Sequence, residues 1–439
     1  MNTSNMPSTP LAATPTPLVF AAYVGLDWGD EKHAVSLAAA GSEKIERSTL
    51  EQTPEALVTW ASELRQRFPG GKIAVCLEQA RGPLIYGLQC YEHLVLYPIN
   101  PKSLARLREA LHPSHTKDDP MDADLALELV RKHREHFRPW QPDTVPTRQL
   151  ALLTEGRRSF VDQHTAGTNA LQTHLKSIFP QALELIGQDL GSPLATDFLK
   201  KWPTLQHVQK VKAAVLRRFY YGHNSRSEEL IQQRLELVQK AQPLTSDEAL
   251  LAAHGLAIQS LAAQLAVLHQ TITQYDRQIA AVFTSHPDAP IFQSLPGAGA
   301  ALAPRLLAAL GTDRSRYPTA LAVNCASGIA PVTEKSGKTQ YWVHLRWSCP
   351  KFQRQSWHEF AGCSIKLCAW ARCCYDQLRK RMGHHEALRK LAYKWQRIVW
   401  RMWQERQSYD ENRYVKSLHR DGLKTYAELA PQGPATNCE

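Results

Sequence analysis

Three short segments of the chain place carboxylates where a divalent metal ion could bind. YVGLD ends a predicted strand on Asp27, and KIAVCLE ends another on Glu78. DDPMDAD contributes Asp119 and Asp122, which are three residues apart and therefore share one face of a predicted helix. A carboxylate beside a hydrophobic core is costly unless a partner compensates its charge. Because Mg²⁺ prefers oxygen ligands, these four acids are candidate metal ligands.

Each acid also has a structural interpretation. Asp27 could cap a turn, and Asp119 precedes a proline, as a helix N-cap often does. Acids in a first helical turn suit the helix dipole without any metal. Asp30, Asp118 and Asp124 lie nearby, and either of the last two could replace one of the four ligands.

The elements that must position these acids alternate between strand and helix. Strands are predicted at residues 22–27, 33–39, 72–78 and 94–98. Helices are predicted at residues 54–67, 83–92, 101–110 and 120–133. This alternation predicts an α/β domain around a mixed sheet. Two strand-end acids plus an i, i+3 pair form the RNase H-like arrangement, in which two Mg²⁺ ions activate one oxygen and stabilise another.

The domain prediction continues along the chain. Residues 1–20 are rich in Ser, Thr and Pro and are predicted to be a disordered tail before the α/β domain of residues 21–146. A helical connector follows over 147–290, whose long helices could fold back on each other, pair between subunits as a coiled coil, or form an ordinary bundle. A second compact domain is predicted over 291–405, with a tail at 406–439. No role is assigned to the part of the connector between 187 and 225.

The second domain opens with the helix, glycine turn and helix pattern SLPGAGAALAPRLLAALG. Gly297 and Gly299 lie in its turn, before the predicted second helix. Backbone N–H groups at a helix N-terminus can bind a phosphate oxygen without reading base sequence. The pattern is typical of a helix-hairpin-helix in nucleic-acid-binding proteins, and a plain helical hairpin is the alternative.

Basic residues are concentrated in the C-terminal part of the chain. The formal net charge is +11 and the pI is near 9.2. Residues 333–424 contain 20 Lys and Arg against 8 Asp and Glu, whereas the remainder contains 32 against 33. This asymmetry favours a region that contacts a polyanion such as nucleic acid. A solvated basic surface without a partner would give the same counts.

The cysteines and the hydropathy exclude several other classes. Cys363, Cys368, Cys373 and Cys374 cluster without the C-x-x-C spacing of a zinc site, so buried helix thiols are expected. Free thiols and a first segment without a basic signal-peptide region favour a reducing cytoplasm. No apolar run is expected to reach the roughly 18 residues of a membrane helix, so no membrane partner is predicted.

Taken together, these segments resemble a family of insertion-sequence transposases. GLDWG with Asp27, CLE with Glu78, and KDDPMDA with Asp119 and Asp122 resemble the RuvC-like DEDD domain of the IS110 family. LPGAGAALAPRLLAALG and ASGIAPVTEKSGK resemble that family's C-terminal transposase domain, and HLRWSCPKFQRQSWHEFA is similar to the tail of its IS1111 subgroup. The resemblance covers about residues 21–405 in the family's order.

The resemblance implies a site-specific DNA recombinase that combines the Mg²⁺-binding acids with a nucleophilic serine. The family serine corresponds to Ser336. The resemblance also implies a structured non-coding bridge RNA, which pairs with target and donor DNA while the protein holds the backbones. We further expect a homo-oligomer, as a dimer or tetramer, in the bacterial cytoplasm in association with the nucleoid.

Ser336 lies in the Lys-rich segment EKSGK and has only Glu334 as an acidic neighbour in the sequence, so its activator must come from elsewhere. The acidic site of the first domain is the candidate activator. Ser327, in a similar Ser-Gly pair, is expected to be a packing residue, and a solvent-facing hydroxyl is the alternative role of Ser336. The expected phosphate-binding side chains are Lys335, Lys338, Arg346, Lys351 and Arg354.

Seven tryptophans lie among the basic residues of this region and could stack on unpaired bases or fill a core. They are Trp342, Trp347, Trp357, Trp370, Trp395, Trp400 and Trp403. Three other functions remain as alternatives: a metal-only RuvC-like nuclease, a non-catalytic nucleic-acid-binding protein, and a sugar kinase with the actin-like ATPase fold. The kinase would need a second glycine-rich phosphate loop, and no convincing one follows the first domain.

Overall fold

The computed structural model describes residues 18–78, 82–111, 119–336 and 340–420. The chain forms two compact units, Met1–Pro142 and Asp143–Glu439. The first unit is a mixed α/β sheet domain, as the alternating pattern predicts, and the second is mainly helical.

The first unit is built on a five-stranded sheet. Its strands are β1 Phe20–Asp27, β2 Lys32–Ala39, β3 Glu46–Glu51, β4 Lys72–Leu77 and β5 Leu94–Pro98. They lie in the order β3-β2-β1-β4-β5. β1, β4 and β5 run parallel, whereas β2 pairs antiparallel with both β1 and β3. The mixed sheet confirms the sequence prediction, although β3 was not predicted because its ERSTLE sequence has only one buried apolar residue.

Four helices cover the two faces of this sheet. They are α1 Pro54–Arg67, α2 Pro83–Leu88, α3 Pro101–Leu111 and α4 Asp119–Lys132. A proline opens the first three, where its missing N–H leaves no intrahelical hydrogen bond unmade. α1 and α2 pack with one face of the sheet, and α3 and α4 pack with the other. Because both faces are buried, β1 and β4 are almost continuously apolar up to their last residues.

Two long helices dominate the start of the second unit. α5 spans Val145–Ile178, and α11, Glu248–Thr284, packs along it within one chain. Five shorter helices lie between them in sequence: α6 Ala182–Ile186, α7 Pro193–Lys201, α8 Leu205–Gln209, α9 Ala213–Gly222 and α10 Glu228–Lys240. They share one apolar core with the long pair. The stretch that had no assigned role therefore forms helices that fill this core.

Helix α11 contains a long apolar segment, whereas the sequence analysis expected none of membrane-spanning length. Its length and composition are sufficient to cross a membrane, so the prediction that no segment reaches this threshold was wrong. Its residues from 249 to 275 contain no Asp, Glu, Lys or Arg. A single helix of this kind is weak support for a membrane span, because core helices of other proteins pass the same test. In this chain α11 packs along α5 and α7.

The remaining elements surround a tryptophan-rich core. They are α12 Ala289–Gln293, α13 Gly299–Leu310, α14 Ala320–Ala326, strands β6 Val332–Ser336 and β7 Gln340–His344, α15 Lys351–Leu367, α16 Ala369–Arg379, α17 His384–Glu405 and α18 Glu411–Arg420. β6 and β7 form a separate antiparallel hairpin. The largest buried side chains of the core are Trp357, Trp370, Trp395 and Trp403.

Candidate functional site

Asp27 and Glu78 lie at the carboxyl ends of two neighbouring parallel strands. Leu26 of β1 is paired in register with Leu77 of β4, so each acid is the next residue beyond the last pair. Neighbouring strands are about 4.8 Å apart, which puts the two backbones within reach of one ligand. Asp27 is 8% exposed and Glu78 is partly buried. The sheet therefore brings together the two acids that the sequence placed at strand ends.

Helix α4 contacts β1 directly because residue 25 is glycine. A Cβ on Gly25 would lie 2.0 Å from the Ala123 carbonyl oxygen and 2.3 Å from the Leu127 nitrogen. Only a residue without a side chain permits such a close approach of two backbones. The contact fixes the first turns of α4, which carry Asp119 and Asp122, beside the strand that ends on Asp27.

Asp122 is buried and paired with an arginine that the sequence analysis did not identify. Arg108 of α3 donates from Nε to Oδ1 at 2.6 Å and from Nη2 to Oδ2. The Asp122 side chain is 3% exposed and that of Arg108 is 17% exposed. A bidentate arginine satisfies both carboxylate oxygens and compensates the buried charge. Asp122 thus has a structural partner in the structure, which a metal ion would have to replace.

The fourth acid, Asp119, is the first residue of α4, and its side chain lies outside the described residues, as does all of Asp118. Among the described residues, Asp27, Glu78 and Asp122 do not form a group whose ligand atoms all lie within 4.8 Å of one another. His133, Glu135 and His136 do form such a group, exposed just beyond the far end of α4.

The two remaining spare acids differ in their surroundings. Asp124 accepts hydrogen bonds from Ser36 Oγ at 2.6 Å and from Arg47, whose Nη2 lies 2.8 Å from Oδ2. These partners belong to β2 and β3, so Asp124 ties α4 to the antiparallel side of the sheet. Asp30 is exposed in the turn between β1 and β2.

His33 is a second residue that the sequence analysis did not single out. It is fully buried on β2, and its Nδ1 accepts a hydrogen bond from the Gly29 N–H at 3.2 Å. Nε2 consequently carries the proton and donates to Gln52 Oε1. Burial lowers the pKa of His33, so the ring is neutral. The bond to Gly29 fixes the turn that directly follows Asp27. The only sequence signal was a histidine placed six residues after the first acid, at the start of an apolar strand.

Ser336 belongs to the second unit and ends the exposed strand β6. Its backbone is paired with Gln340 across the hairpin, so it lies at the hairpin tip rather than in an open loop. Glu334 is on the same face of the strand and has an ion-pair contact with His344 at 3.5 Å. In the described part of the chain, no side chain makes a hydrogen bond with the Ser336 hydroxyl. This placement leaves the hydroxyl accessible to a large substrate.

The basic side chains near Ser336 differ in their surroundings. Lys335 is exposed on the hairpin, and Lys351 is exposed at the start of α15. Arg346 points back to the chain, where its Nε donates to the Ala330 carbonyl at 3.4 Å. Arg354 donates from Nη1 to the Arg346 carbonyl at 3.2 Å. The fifth predicted residue, Lys338, lies outside the described residues.

Gly297 and Gly299 have different roles in the turn before α13. Gly297 has a φ of +85°, and a Cβ there would lie 2.8 Å from the Cys363 carbonyl carbon of α15. Its conformation and its close packing both require glycine. Gly299 has a φ of +53° and nothing within 4 Å of its Cβ position. Gly299 is therefore the residue whose backbone has free space around it at the start of α13.

Ser327 and most tryptophans belong to the core. Ser327 is 2% exposed, accepts from Gln396 Nε2 at 2.7 Å and donates to the Asn324 carbonyl at 3.3 Å. Trp400 is partly buried and donates to the Tyr317 carbonyl. The tryptophans that are largely exposed are Trp342, at 45%, and Trp347, at 71%. Of the seven tryptophans, these two expose the most ring surface for base stacking.

The clustered cysteines are free thiols, and the expectation that they are buried is correct for only two of the four. Cys368 and Cys374 are buried, Cys373 is partly buried and Cys363 is exposed. Burial raises the pKa of Cys368 to about 12, so the thiol is protonated and a poor metal ligand.

Comparisons with known proteins agree with this organisation. A family model for the IS110 DEDD domain, described as Transposase, matches residues 24–180. A second model, described as Transposase IS116/IS110/IS902 family, matches residues 289–376. Together the two models match more than half of the chain. Most of the first match lies in the first compact unit, and the second match lies entirely in the second unit.

Three curated relatives match nearly the whole length. The Mini-circle putative transposase for IS117 of Streptomyces coelicolor is 24% identical, over 90% of this chain and 97% of the relative. The Insertion element IS110 uncharacterized 43.6 kDa protein of the same species is 24% identical, over 84% and 91%. The Insertion element IS116 uncharacterized 44.8 kDa protein of Streptomyces clavuligerus is 25% identical, over 88% and 96%. The chain therefore belongs to the IS110/IS116 family of transposases, and its substrate is DNA.

Proposed function

We propose that this transposase recombines DNA with two sets of residues, an acidic metal site in the first unit and Ser336 in the second. The acidic set is Asp27, Glu78, Asp119 and Asp122. The observation that carries the proposal is the pairing of β1 with β4, which ends on two adjacent acids in a sheet of order β3-β2-β1-β4-β5. That strand order, with β2 antiparallel, supports an RNase H-like fold for the first unit.

A divalent ion fits the strand-end part of this set. Asp27 is a mostly buried carboxylate, and the position of Glu78 adjoins it across the sheet. Mg²⁺ bound there would polarise a phosphodiester and activate an attacking oxygen. Asp119 would approach from the first turn of α4. Asp122 would join only after exchanging Arg108 for the ion, and otherwise acts by holding α4 in place.

Ser336 would attack a DNA phosphorus atom with its Oγ. The Oγ–P bond forms while the bond from phosphorus to one deoxyribose oxygen breaks, and that oxygen takes up a proton as the serine loses one. Attack by a second deoxyribose hydroxyl reverses the exchange, so strands are rejoined without an external energy source. The exposed position of Ser336 at the hairpin tip supports this role. Lys335, on the same hairpin, would stabilise the phosphate charge.

We also propose that a structured bridge RNA supplies the sequence specificity and that the active form is a homo-oligomer in the cytoplasm. The resemblance to the IS1111 subgroup supports the guided mechanism. In the structure, exposed Trp342 and Trp347 lie on or beside the β6–β7 hairpin and could stack on unpaired bases. Sequencing of RNA that copurifies with the full-length protein tests this part, and purification of an active recombinase free of RNA would contradict it.

The chemistry is tested by detection of covalent protein–DNA adducts. The full-length protein is expressed with its element, incubated with labelled DNA from the element ends and MgCl₂, and denatured before electrophoresis. We expect Ser336→Ala to abolish the adduct and recombination while DNA binding persists, because one hydroxyl adds little to a backbone-dominated interface. Ser327→Ala is the matched control and should retain the adduct.

The outcomes separate the alternatives. An adduct that persists in Ser336→Ala and vanishes in Ser327→Ala would mean that the assigned serine is wrong. DNA cleavage without any adduct would favour a metal-only nuclease. Normal recombination by Glu78→Ala would rule out the acidic assignment, and DNA binding without cleavage under all conditions would favour a non-catalytic binding protein.

A further inference from the structure

Two packed helices of the second unit bring four basic side chains together. Arg354 and His358 are four residues apart on α15, and His385 and Arg389 are four residues apart on α17. Residues with this spacing share one helix face. α15 packs against α17 through Phe360 and Trp395, whose ring centroids are 5.0 Å apart.

The cluster of Arg354, His358, His385 and Arg389 lacks an acidic partner. No Asp or Glu of the described residues makes an ion pair with any of its four members. The two nearest acids in sequence are engaged elsewhere. Glu359 binds Arg305 at 2.5 Å and Arg158 at 3.1 Å, and Glu386 lies 3.5 Å from Lys390.

Three other arginines of the same unit with largely buried side chains are compensated. Arg305, Arg314 and Arg316 each pair with a carboxylate at 2.5 to 2.7 Å. Arg389 has no carboxylate within ion-pair distance among the described residues, and its buried Nε finds no hydrogen-bond partner there. Arg158 and Arg305 also each have one such nitrogen, but both pair with Glu359. Buried polar groups are nearly always hydrogen-bonded, so an orphaned guanidinium nitrogen in a basic cluster indicates an absent acceptor.

The electrostatics of the cluster agree with this geometry. Burial, followed by the charges of Arg389, Arg354 and His385, lowers the pKa of His358 to about 4. Burial and the charge of Arg354 also lower the pKa of Arg389. The cluster therefore opposes its own protonation in the free protein. An anion placed between the two helices would favour the protonated forms of both side chains.

We propose that Arg354, His358, His385 and Arg389 form a binding site for a backbone phosphate of nucleic acid. The inference rests on the proposed function as a DNA recombinase and on the prediction that the basic residues 333–424 contact nucleic acid, and it adds a defined site to that region. A phosphodiester offers two charged oxygens, which match the parallel N–H groups of an arginine. A cation would be repelled by the two guanidinium groups, so the histidines do not form a metal site. Arg354 donates one hydrogen bond from Nη1 to the Arg346 carbonyl, and this bond orients its remaining N–H groups.

The site is tested by binding measurements on the full-length protein without divalent metal. The probes are a 30-base-pair DNA duplex and a single-stranded RNA of 30 nucleotides, each labelled and titrated across a range of NaCl concentrations. We expect Arg389→Gln to weaken binding by about 10-fold at low salt, the typical loss for one charge-assisted hydrogen bond. The slope of log affinity against log salt should fall by about 1, because one phosphate contact is lost.

Arg401→Gln is the matched control, because Arg401 lies on the same helix but is exposed and paired with Glu405 at 2.8 Å. It should leave the salt slope unchanged. His385→Gln, at an exposed position, provides a second test if Arg389→Gln unfolds. A loss confined to one probe identifies DNA or RNA as the source of the phosphate.

Wild-type affinity and salt slope for both probes in Arg389→Gln and His385→Gln would overturn the assignment. A loss equal to that of Arg401→Gln would also overturn it, because it would reflect net charge alone. The assay involves no strand cleavage, so its failure leaves the acid and serine chemistry unaffected. Conversely, an inactive Ser336→Ala variant should still show the expected binding.

Discussion

Replacing Arg108 by Gln separates a metal-binding role of Asp122 from a structural one. Arg108 compensates a carboxylate whose side chain is only 3% exposed. Removing one partner of a buried pair leaves an uncompensated charge and typically costs about 3–5 kcal/mol. We therefore expect the first unit of Arg108→Gln to unfold at markedly lower urea concentration than wild type in the presence of EDTA.

The response of the variant's stability to Mg²⁺ distinguishes the two roles of Asp122. If Asp122 is a ligand, the ion replaces the lost guanidinium charge, and the variant recovers stability as MgCl₂ is added. Saturation at about 100 times the dissociation constant would restore roughly 2.7 kcal/mol. If Asp122 only positions α4, the ion cannot reach it and the loss persists at every concentration.

Arg47→Gln is the control for this experiment. Arg47 pairs with Asp124, whose partners Ser36 and Arg47 lie on β2 and β3. This pair is considerably more exposed than the pair of Arg108 and Asp122. Losing this exposed pair should destabilise the unit much less than Arg108→Gln does, and the stability difference between Arg47→Gln and wild type should not change with Mg²⁺. Wild-type stability of Arg108→Gln in EDTA would refute the charge argument, and equal rescue of both variants would refute the assignment of Asp122.

Three further predictions follow from packing and charge. Gly25→Ala should lower stability by at least about 1–3 kcal/mol and reduce DNA cleavage, because the new Cβ would collide with the α4 backbone. Gly222→Ala, with open space around its Cβ position, should be neutral in the same urea titration. His33→Ala should destabilise the unit by about 2–4 kcal/mol, measured by the same method, because it leaves the Gly29 N–H and Gln52 without partners and opens a cavity. The pKa of His358 is lowered from 6.5 to about 4, so the unfolded chain binds its proton first and stability falls as pH drops through this window. Wild type should lose about 2 kcal/mol more than His358→Gln between about pH 7 and pH 5, and equal losses in urea titrations would contradict this.

The sequence was most informative where local patterns determine the structure. Apolar runs that end on Asp27 and Glu78 identified two parallel strands, because a strand buried on both faces must be continuously apolar. Prolines at the starts of α1, α2 and α3 marked helix boundaries. The packing role expected for Ser327 agrees with its buried hydrogen bonds.

Long-range partners could not be read from the sequence. Arg108 lies 14 residues before Asp122 on a different helix, and only the packing of α3 against α4 joins them. The polar strand β3 gave no apolar alternation, since its outward residues face solvent. The same limit applies to Arg354 and Arg389, whose proximity depends on how α15 meets α17.

Some buried charges of this protein are paired with an opposite charge, whereas two clusters gather side chains of like charge. Arginines such as Arg305 and Arg314 are matched with carboxylates, as the cost of an isolated buried charge requires. The strand ends instead bring Asp27 and Glu78 together, and α15 and α17 bring four basic side chains together. Concentrating like charge is unfavourable in the free protein, and binding of an opposite charge relieves it. In our two proposals, a metal ion is the complement of the first cluster and a phosphate is the complement of the second.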